Sequence, residues 1–421
     1  MSETGAAPRP AVTELRLSAF RGLCGTRLPL GPLTLLSGPS GSGKSTVLEA
    51  HTALARLAAG DTVHEVFDSA PGGSAACVPL TARPDGTGRR GFRLGCTVTG
   101  PAGQVHLDIA VQAEPQLRVV GERLVCGDRT LLTTALRDPG RRTVQAAWHT
   151  AGSNPVTRAP LPDDRLATAL LPLRVAGTTE GQRQVLAAAE QTVLALRSVF
   201  RCDPRPERMR AAVAPGDALL RGCCDNLAAV LRRHRTGSAA AHAALLAAAS
   251  AGWAGPDVRD LRAEGCEGAE GGLVRAVADR GRAGRTPLEW LADGELRYTA
   301  LVLALLGGPD LLDSGPVGRV PDAGLPVLVL ADGLDRGLDK RQTQALLALA
   351  GRVCAQGDLR LLGTLFDVSA ARTVPGACVL RLGGARAARP DGSAAAPDGP
   401  ACAEEYPAAE EAAARSGTPG G

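Results

Sequence analysis

The period of apolar positions changes several times along the chain, and each change marks an element. Val12 to Phe20 alternates as a strand, Thr26 to Leu30 reads as a second, and Leu33 to Leu36 is a short, mostly apolar third. From Ser45 to about Ala59 the period lengthens: Val47, Leu48, Ala53, Leu54 and Leu57 fall at helical spacing and Gly60 is a stop. A Gly/Pro/Arg-rich loop fills 71–90. Alternation then resumes at Phe92–Val98, Val105–Val111 and Leu117–Leu124, with turns at Gly100-Pro101 and Glu114-Pro115, which predicts an antiparallel β-lobe.

Pro160 to Pro172 opens a helical region, and Thr179 to Phe200 is the clearest helix. Thr179 and Gln182 form a capping box there, and Val185, Leu186, Ala189, Val193, Leu196 and Phe200 share one face. Further helices are predicted at Asn226–Leu231 and around Ala239–Ser250, without the sustained heptads of a coiled-coil arm. Gly272–Ala278 with the turn Gly281–Arg285 suggests a short hairpin, and Leu291–Arg297 opens another apolar helix. Val327–Ala331 is a continuous run of the kind buried in a parallel sheet, whereas Leu359–Leu362, interrupted by Arg360, is a weaker strand. Residues 1–10 read as disordered, as does the low-complexity tail 383–421, within which Ala408–Arg415 is a marginal helix.

With 421 residues, 44% of them hydrophobic, the chain can bury a substantial core. A net charge of +4 from 47 basic and 43 acidic residues specifies neither nucleic acid nor an acidic partner, and 2% aromatics argue against base-stacking platforms. The eleven cysteines form no C-x-x-C, and the adjacent Cys223 and Cys224 read as small helix filler, so a reducing cytoplasm is expected. No signal-peptide pattern opens the chain, and the longest apolar stretch, Tyr298–Leu306, is too short to cross a bilayer.

Chemistry concentrates after the third strand. Gly38-Pro39-Ser40-Gly41-Ser42-Gly43-Lys44-Ser45 is a complete G-x-x-x-x-G-K-S phosphate loop, followed by Thr46 and the helix. Its glycines let successive backbone N–H groups turn toward phosphate oxygens, and the helix start adds its positive end. Lys44 would reach the β- and γ-phosphates and Ser45 Oγ would hold Mg²⁺. Only Lys44 and Lys340 are lysines in a chain that otherwise uses arginine, which suits a compact ammonium at this one place. The apolar run Val327–Ala331 ends in Asp332, as a Walker B strand does, so Asp332 is expected beside Ser45 at the metal. Asp293-Gly294-Glu295 opens a helix, either as an anion site or with Asp293 as a plain N-cap, and Gly337-Leu338-Asp339 follows Asp332.

This series resembles the ATP-binding head of the ABC/SMC/RecF clan, in particular small AAA-type ATPases with a β-lobe and a helical insertion. Leu291–Arg297 is similar to their L-S-D-G-T-L-R signature. Leu196-Arg197-Ser198, then Asp203 to Arg210, and Asn226 to Leu231 are similar to phrases of their insertion. The resemblance implies an α/β P-loop NTPase with a mixed sheet core: residues 11–60 and 286–382 as nucleotide-binding core, 90–150 as β-lobe and 160–285 as mainly helical insertion. It implies ATP and Mg²⁺ as ligands, held by Gly38 to Thr46. It also implies a homodimer in which Asp293, Gly294 and Glu295 of one copy touch the γ-phosphate held by the other, with Asp339 crossing the interface.

Two family residues are missing. Gly333 stands where the family keeps the Glu that orients water, and no His follows His242 to serve as phosphate sensor; Thr364, Phe366 and Asp367 occupy that stretch. Two readings stay open: a slow ATPase in which Asp335 or Asp367 substitutes as the carboxylate, and a nucleotide-binding dimeric switch, read by an unidentified protein effector, that turns over little. Analogy with repair and phage-defence ATPases adds nucleic acid as a third expectation, with Arg205, Arg208, Arg210, Arg232, Arg233 and Arg235 as contacts.

Overall fold

The structure, a computed structural model, describes residues 8–151, 155–266, 272–313 and 324–383. The first seven residues and the tail beyond Gly383, including Ala408–Arg415, lie outside them. In chain order come β1 (Ala11–Phe20), β2 (Leu23–Pro29), β3 (Leu33–Ser37), α1 (Lys44–Ala59) and α2 (Val63–Phe67). Then follow β4 (Arg90–Gly100), β5 (Gly103–Glu114), β6 (Arg118–Cys126), β7 (Arg129–Ala135), β8 (Thr143–His149), β9 (Val156–Pro162), α3 (Ala167–Leu170) and α4 (Glu180–Arg197). After β10 (Val199–Cys202) come α5 (Pro206–Met209), α6 (Leu227–Gly237), α7 (Ala239–Gly252), β11 (Asp260–Gly265), β12 (Val274–Asp279), β13 (Arg285–Pro287) and α8 (Asp293–Leu306). The described chain closes with β14 (Val327–Ala331), a helix Lys340–Gln356 numbered α9 here, β15 (Leu359–Thr364) and β16 (Ala377–Arg381).

The described residues divide into two compact units, one within residues 8–29 and 49–197, the other within residues 30–48 and 198–383. The first is built on an eight-stranded antiparallel sheet, β2-β1-β4-β5-β6-β7-β8-β9. The strands grouped with the nucleotide core on sequence, β1 and β2, belong to this sheet: β1 pairs with β2 on one side and β4 on the other. Helix α4 lies on the sheet through Val185, Ala188, Ala189 and Leu196. The buried amide of Gln191 fixes it to the β4–β5 turn, accepting from Ala102 N (2.7 Å) and donating to Gly103 O (2.8 Å).

The second unit holds a parallel sheet, β10-β14-β15-β3-β16. Parallel and antiparallel pairing are thus divided between separate sheets. Every residue of β3, β14 and β15 is buried, so these strands are covered on both faces and read as continuous apolar runs. Arg360, which weakened the β15 pattern, folds its guanidinium onto the carbonyls of Leu30 (2.6 Å) and Gly31 (3.2 Å). The long helix expected to reach Phe200 ends at Arg197. Val199–Cys202 instead pairs in parallel with β14, Phe200 opposite Val329, because a β-branched and aromatic pair satisfies its backbone better beside a buried strand.

Helices α5 and α7 pack on α8. Gly252 closes α7 where a Cβ would lie 2.1 Å from the Tyr298 ring, and the buried Trp253 donates its indole N–H to Thr299 Oγ1 (3.0 Å). The predicted hairpin is part of a three-stranded antiparallel sheet, β11-β12-β13. Asn226, completely buried, donates to the carbonyls of Asp217 and Leu219 and accepts from Arg221 N, so it organises the loop that leads into α6.

Candidate functional site

Strand β3 delivers the chain to the phosphate loop, and two strands away β14 delivers it to Asp332, both at the same edge of the parallel sheet. The loop's conformation is one that only glycine adopts readily: Gly38, Gly41 and Gly43 have φ of 146°, 79° and 96°. At Gly38 the packing leaves no alternative, since a Cβ would stand 2.3 Å from Leu382 O and 2.7 Å from Ser42 Oγ. The loop is braced from β16, where Leu382 N donates to Ser37 O (2.8 Å).

Lys44, nearly buried, turns its ammonium back over the loop. Nζ donates to Gly38 O (2.7 Å) and Pro39 O (2.9 Å) and lies 5.7 Å from the centroid of the exposed Phe366 ring. Ser45 Oγ donates to Asp332 Oδ2 at 2.8 Å, so a hydroxyl and a carboxylate 287 residues apart share one point. Asp332 Oδ1 accepts from Thr364 Oγ1 (2.6 Å), which itself accepts the N–H of Gly333 (2.7 Å). A hydroxyl beside an oriented carboxylate is an all-oxygen donor pair suited to Mg²⁺. Ser42 Oγ is buried without a protein partner, so the loop keeps one unsatisfied polar group. These residues fit a magnesium-bound phosphate chain.

Asp293-Gly294-Glu295 begins α8. The N-cap is Ala292, whose N–H donates to Glu295 Oε2 (3.3 Å), and Asp293 is the first helical residue, its carboxylate held by Arg210 at 2.8 Å. Arg210 also donates to the carbonyls of Glu289 and Leu291, so it braces the turn that opens α8. Gly294 packs against the other loop: a Cβ there would meet Gly337 O at 2.3 Å. Asp339 caps α9, accepting from Gln342 N (2.7 Å) while Gln342 Oε1 accepts from Asp339 N (3.0 Å). Ala292, Asp293 and Asp339 are exposed, and Gly294 and Glu295 are partly so.

The two substitute carboxylates have their oxygens engaged. Asp335 accepts from the backbone N–H of Phe366 and Asp367, both at 2.9 Å through Oδ2, with Oδ1 3.1 Å from Phe366 N. Asp367 takes the N–H and the hydroxyl of Ser369, each at 2.8 Å, and these bonds hold its pKa below the usual carboxylate value. Gly333, the residue after Asp332, has a left-handed backbone with φ 61°.

Arg297, the last residue of the signature-like string, is a site residue that sequence reasoning passed over. It is buried, donates to Asp332 O (3.0 Å), Gly333 O (3.0 Å) and Pro204 O (2.8 Å), and has Asp203 at 3.6 Å. Burial, and after it the charge of Arg336, hold its pKa below the ordinary guanidinium value. An arginine one turn into an otherwise apolar helix was the available signal. Among the arginines expected to meet nucleic acid, Arg210 is committed to the signature turn, Arg205 pairs with Asp203 and Arg235 with Asp260, while Arg208, Arg232 and Arg233 are exposed. No helix among the described residues is long and apolar enough to cross a membrane.

Neither a family model nor a curated protein sequence matches the chain. Among solved structures it is similar to an SMC head bound to the C-winged helix domain of ScpA, at 11% identity and a TM-score of 0.45, covering 86% of this chain and 92% of that one. It is likewise similar to an SMC head domain from Thermotoga maritima, at 12% identity over 86% and 92% of the two chains with a TM-score of 0.39. A third similarity is to an SMC head with an extended coiled coil, bound to the C-terminal domain of ScpA and derived from Pyrococcus furiosus. There the identity is 11%, the coverage 86% and 91%, and the TM-score 0.41.

Proposed function

We propose that the chain binds Mg·ATP at Gly38–Thr46 and works as a nucleotide-dependent dimeric switch with little hydrolysis. The observation that carries this reading is the 2.8 Å contact between Ser45 Oγ and Asp332 Oδ2, next to a position 333 that bears no side chain. Ser45 and Asp332 would hold Mg²⁺, directly or through its water shell, and the ion would neutralise charge on the β- and γ-phosphates. Lys44 would exchange its two carbonyl partners for phosphate oxygens. Thr364 keeps the Asp332 carboxylate aimed by donating its hydroxyl to Oδ1.

Hydrolysis needs a base that can orient water, and loss of such a group removes on the order of 10²–10⁴ in rate. Asp335 and Asp367 each point their oxygens at N–H or O–H donors of the protein, which argues against either as the substitute. Binding energy would go into closing two copies, with the exposed Asp293 and the turn at Gly294 of one meeting the nucleotide on the other and Asp339 at the seam. The test is one titration of Mg·ATP read simultaneously by particle mass and by phosphate release, with Lys44→Ala as control. Mass doubling with less than about one turnover per hour supports the switch. Rapid multiple turnover above the Lys44→Ala level excludes it.

A further inference from the structure

Gly333 lacks a side chain, but the space beside it is filled. A turn closed by Arg336 N donating to Gly333 O (3.0 Å) brings the Arg336 side chain back over residue 333. A Cβ built on Gly333 would lie 3.1 Å from Arg336 Nε and 3.3 Å from its Nη2. The place immediately after the Ser45-bound carboxylate, which the resembled family gives to an acid, therefore holds a guanidinium.

That guanidinium is exposed and forms no ion pair among the described residues. Burial, and after it the charge of Arg336, holds the pKa of the buried Arg297 down, and among the described residues Arg297 has for counter-charge only Asp203, at 3.6 Å. Lys44, at the same edge of the sheet, is held by two carbonyls and the Phe366 ring and by no carboxylate among the described residues. Asp203, Asp332 and Asp335 match this charge in number, but the oxygens of Asp332 and Asp335 are already engaged with Ser45, Thr364 and the amides of Phe366 and Asp367. Arg297 is committed to carbonyls and Asp203, whereas the exposed Arg336 guanidinium, beside the residue that follows the Ser45-bound carboxylate, is left to take an anion with several oxygens.

We infer that Arg336 binds the terminal phosphate of the nucleoside triphosphate held by the loop and makes the site distinguish triphosphate from diphosphate. The inference rests on the nucleotide-binding reading above and deepens it. A guanidinium cannot take a proton from water near neutral pH, so at this place it stabilises the charge of a bound terminal phosphate without generating a nucleophile. A carboxylate would turn such a site toward hydrolysis; an arginine turns it toward retention.

The experiment is calorimetric titration of the full chain with Mg·AMP-PNP and, separately, Mg·ADP, for wild type, Arg336→Ala, Arg336→Lys and Lys44→Ala. Arg336→Ala is expected to weaken AMP-PNP binding about tenfold while ADP affinity stays within about twofold, and Arg336→Lys to recover part of the difference. Melting curves of the variants should overlay that of wild type, because Arg336 is exposed. Equal losses for both nucleotides, or no loss for either, overturn the role of Arg336 and leave the loop assignment standing, provided Lys44→Ala abolishes binding. A wild-type chain that binds neither nucleotide overturns both readings.

Discussion

The two units bury arginine in different company. In the antiparallel sheet Arg16 is enclosed by Asp108 (3.0 Å), Glu14 (3.2 Å), Thr97 and the carbonyls of Cys96 and Leu107. Burial works against its charge, yet Asp108 and these bonds keep its pKa above the ordinary value. In the parallel-sheet unit, burial and Arg336 push Arg297 the other way, and its bonded partners are carbonyls. A cation matched by carboxylates is finished within the fold, whereas cations held by carbonyls at the edge of a parallel sheet keep charge for a ligand. Position matters as well: Arg360 also rests on carbonyls, but near the opposite, N-terminal end of β15, away from the loop. The comparison separates a structural cation from a functional one by its partners and by the end of the sheet it occupies.

The largest test lies at Lys44. Lys44→Ala should reduce Mg·ATP affinity by about 100-fold or more, roughly 2.7 kcal/mol, because the ammonium is the loop's only side-chain charge. Its urea midpoint should hardly move, since the two carbonyls it leaves can be taken by water. A destabilised Lys44→Ala chain would place this residue with Arg16 and break the distinction. Arg16→Ala should show the opposite signature, a loss of about 2–3 kcal/mol in urea denaturation, discounted because Asp108 is 40% exposed. Nucleotide affinity measured below its unfolding transition should be unchanged.

Much of this was legible in the sequence, for reasons that differ by element. The phosphate loop shows because its backbone requires glycine at fixed places, and β14 shows because burial on both faces removes polar residues. The partner of β1 was not legible. An alternating strand states which face is buried but not which sheet covers it, and β1 and β2 went to β4 rather than to β3. Val199 and Phe200 are absorbed into the helical period of α4 because Phe200 continues its apolar spacing, and only the strand beside them decides otherwise. Arg336 could not be read at all. Its meaning comes from a turn that folds it over a residue three positions earlier.

Glu122 sharpens the comparison from the acidic side. It is a fully buried carboxyl that forms no ion pair among the described residues, accepting from Ala167 N (2.6 Å), Thr168 N (2.7 Å) and the Thr168 hydroxyl. Burial outweighs these donors and pushes its pKa up to about 7. With the folded pKa raised, stability is complete below about pH 4.5, where both states hold the proton, and falls as pH rises toward 7, because the unfolded chain ionises first. The loss should be on the order of 2 kcal/mol between pH 5 and 8, measured by urea denaturation, and Glu122→Gln should flatten it. A wild-type chain whose stability does not fall over that range would mean that three donors suffice to keep a buried acid ionised.

The smallest effect separates two roles for Asp339, which is an N-cap by geometry and a seam residue in the proposed dimer. Its side chain accepts the N–H of Gln342 and forms no ion pair among the described residues, so on the capping role alone Asp339→Ala should cost about 1 kcal/mol and Asp339→Ser almost nothing. Serine keeps the acceptor for the helix but removes the charge and shortens the reach toward a second copy. If Asp339 also serves the interface, Asp339→Ser will melt like wild type yet need several-fold more protein to double its mass with Mg·ATP. Equal dimerisation by the two chains would leave Asp339 as a cap and move the search for the seam to the exposed residues of the Asp293 turn.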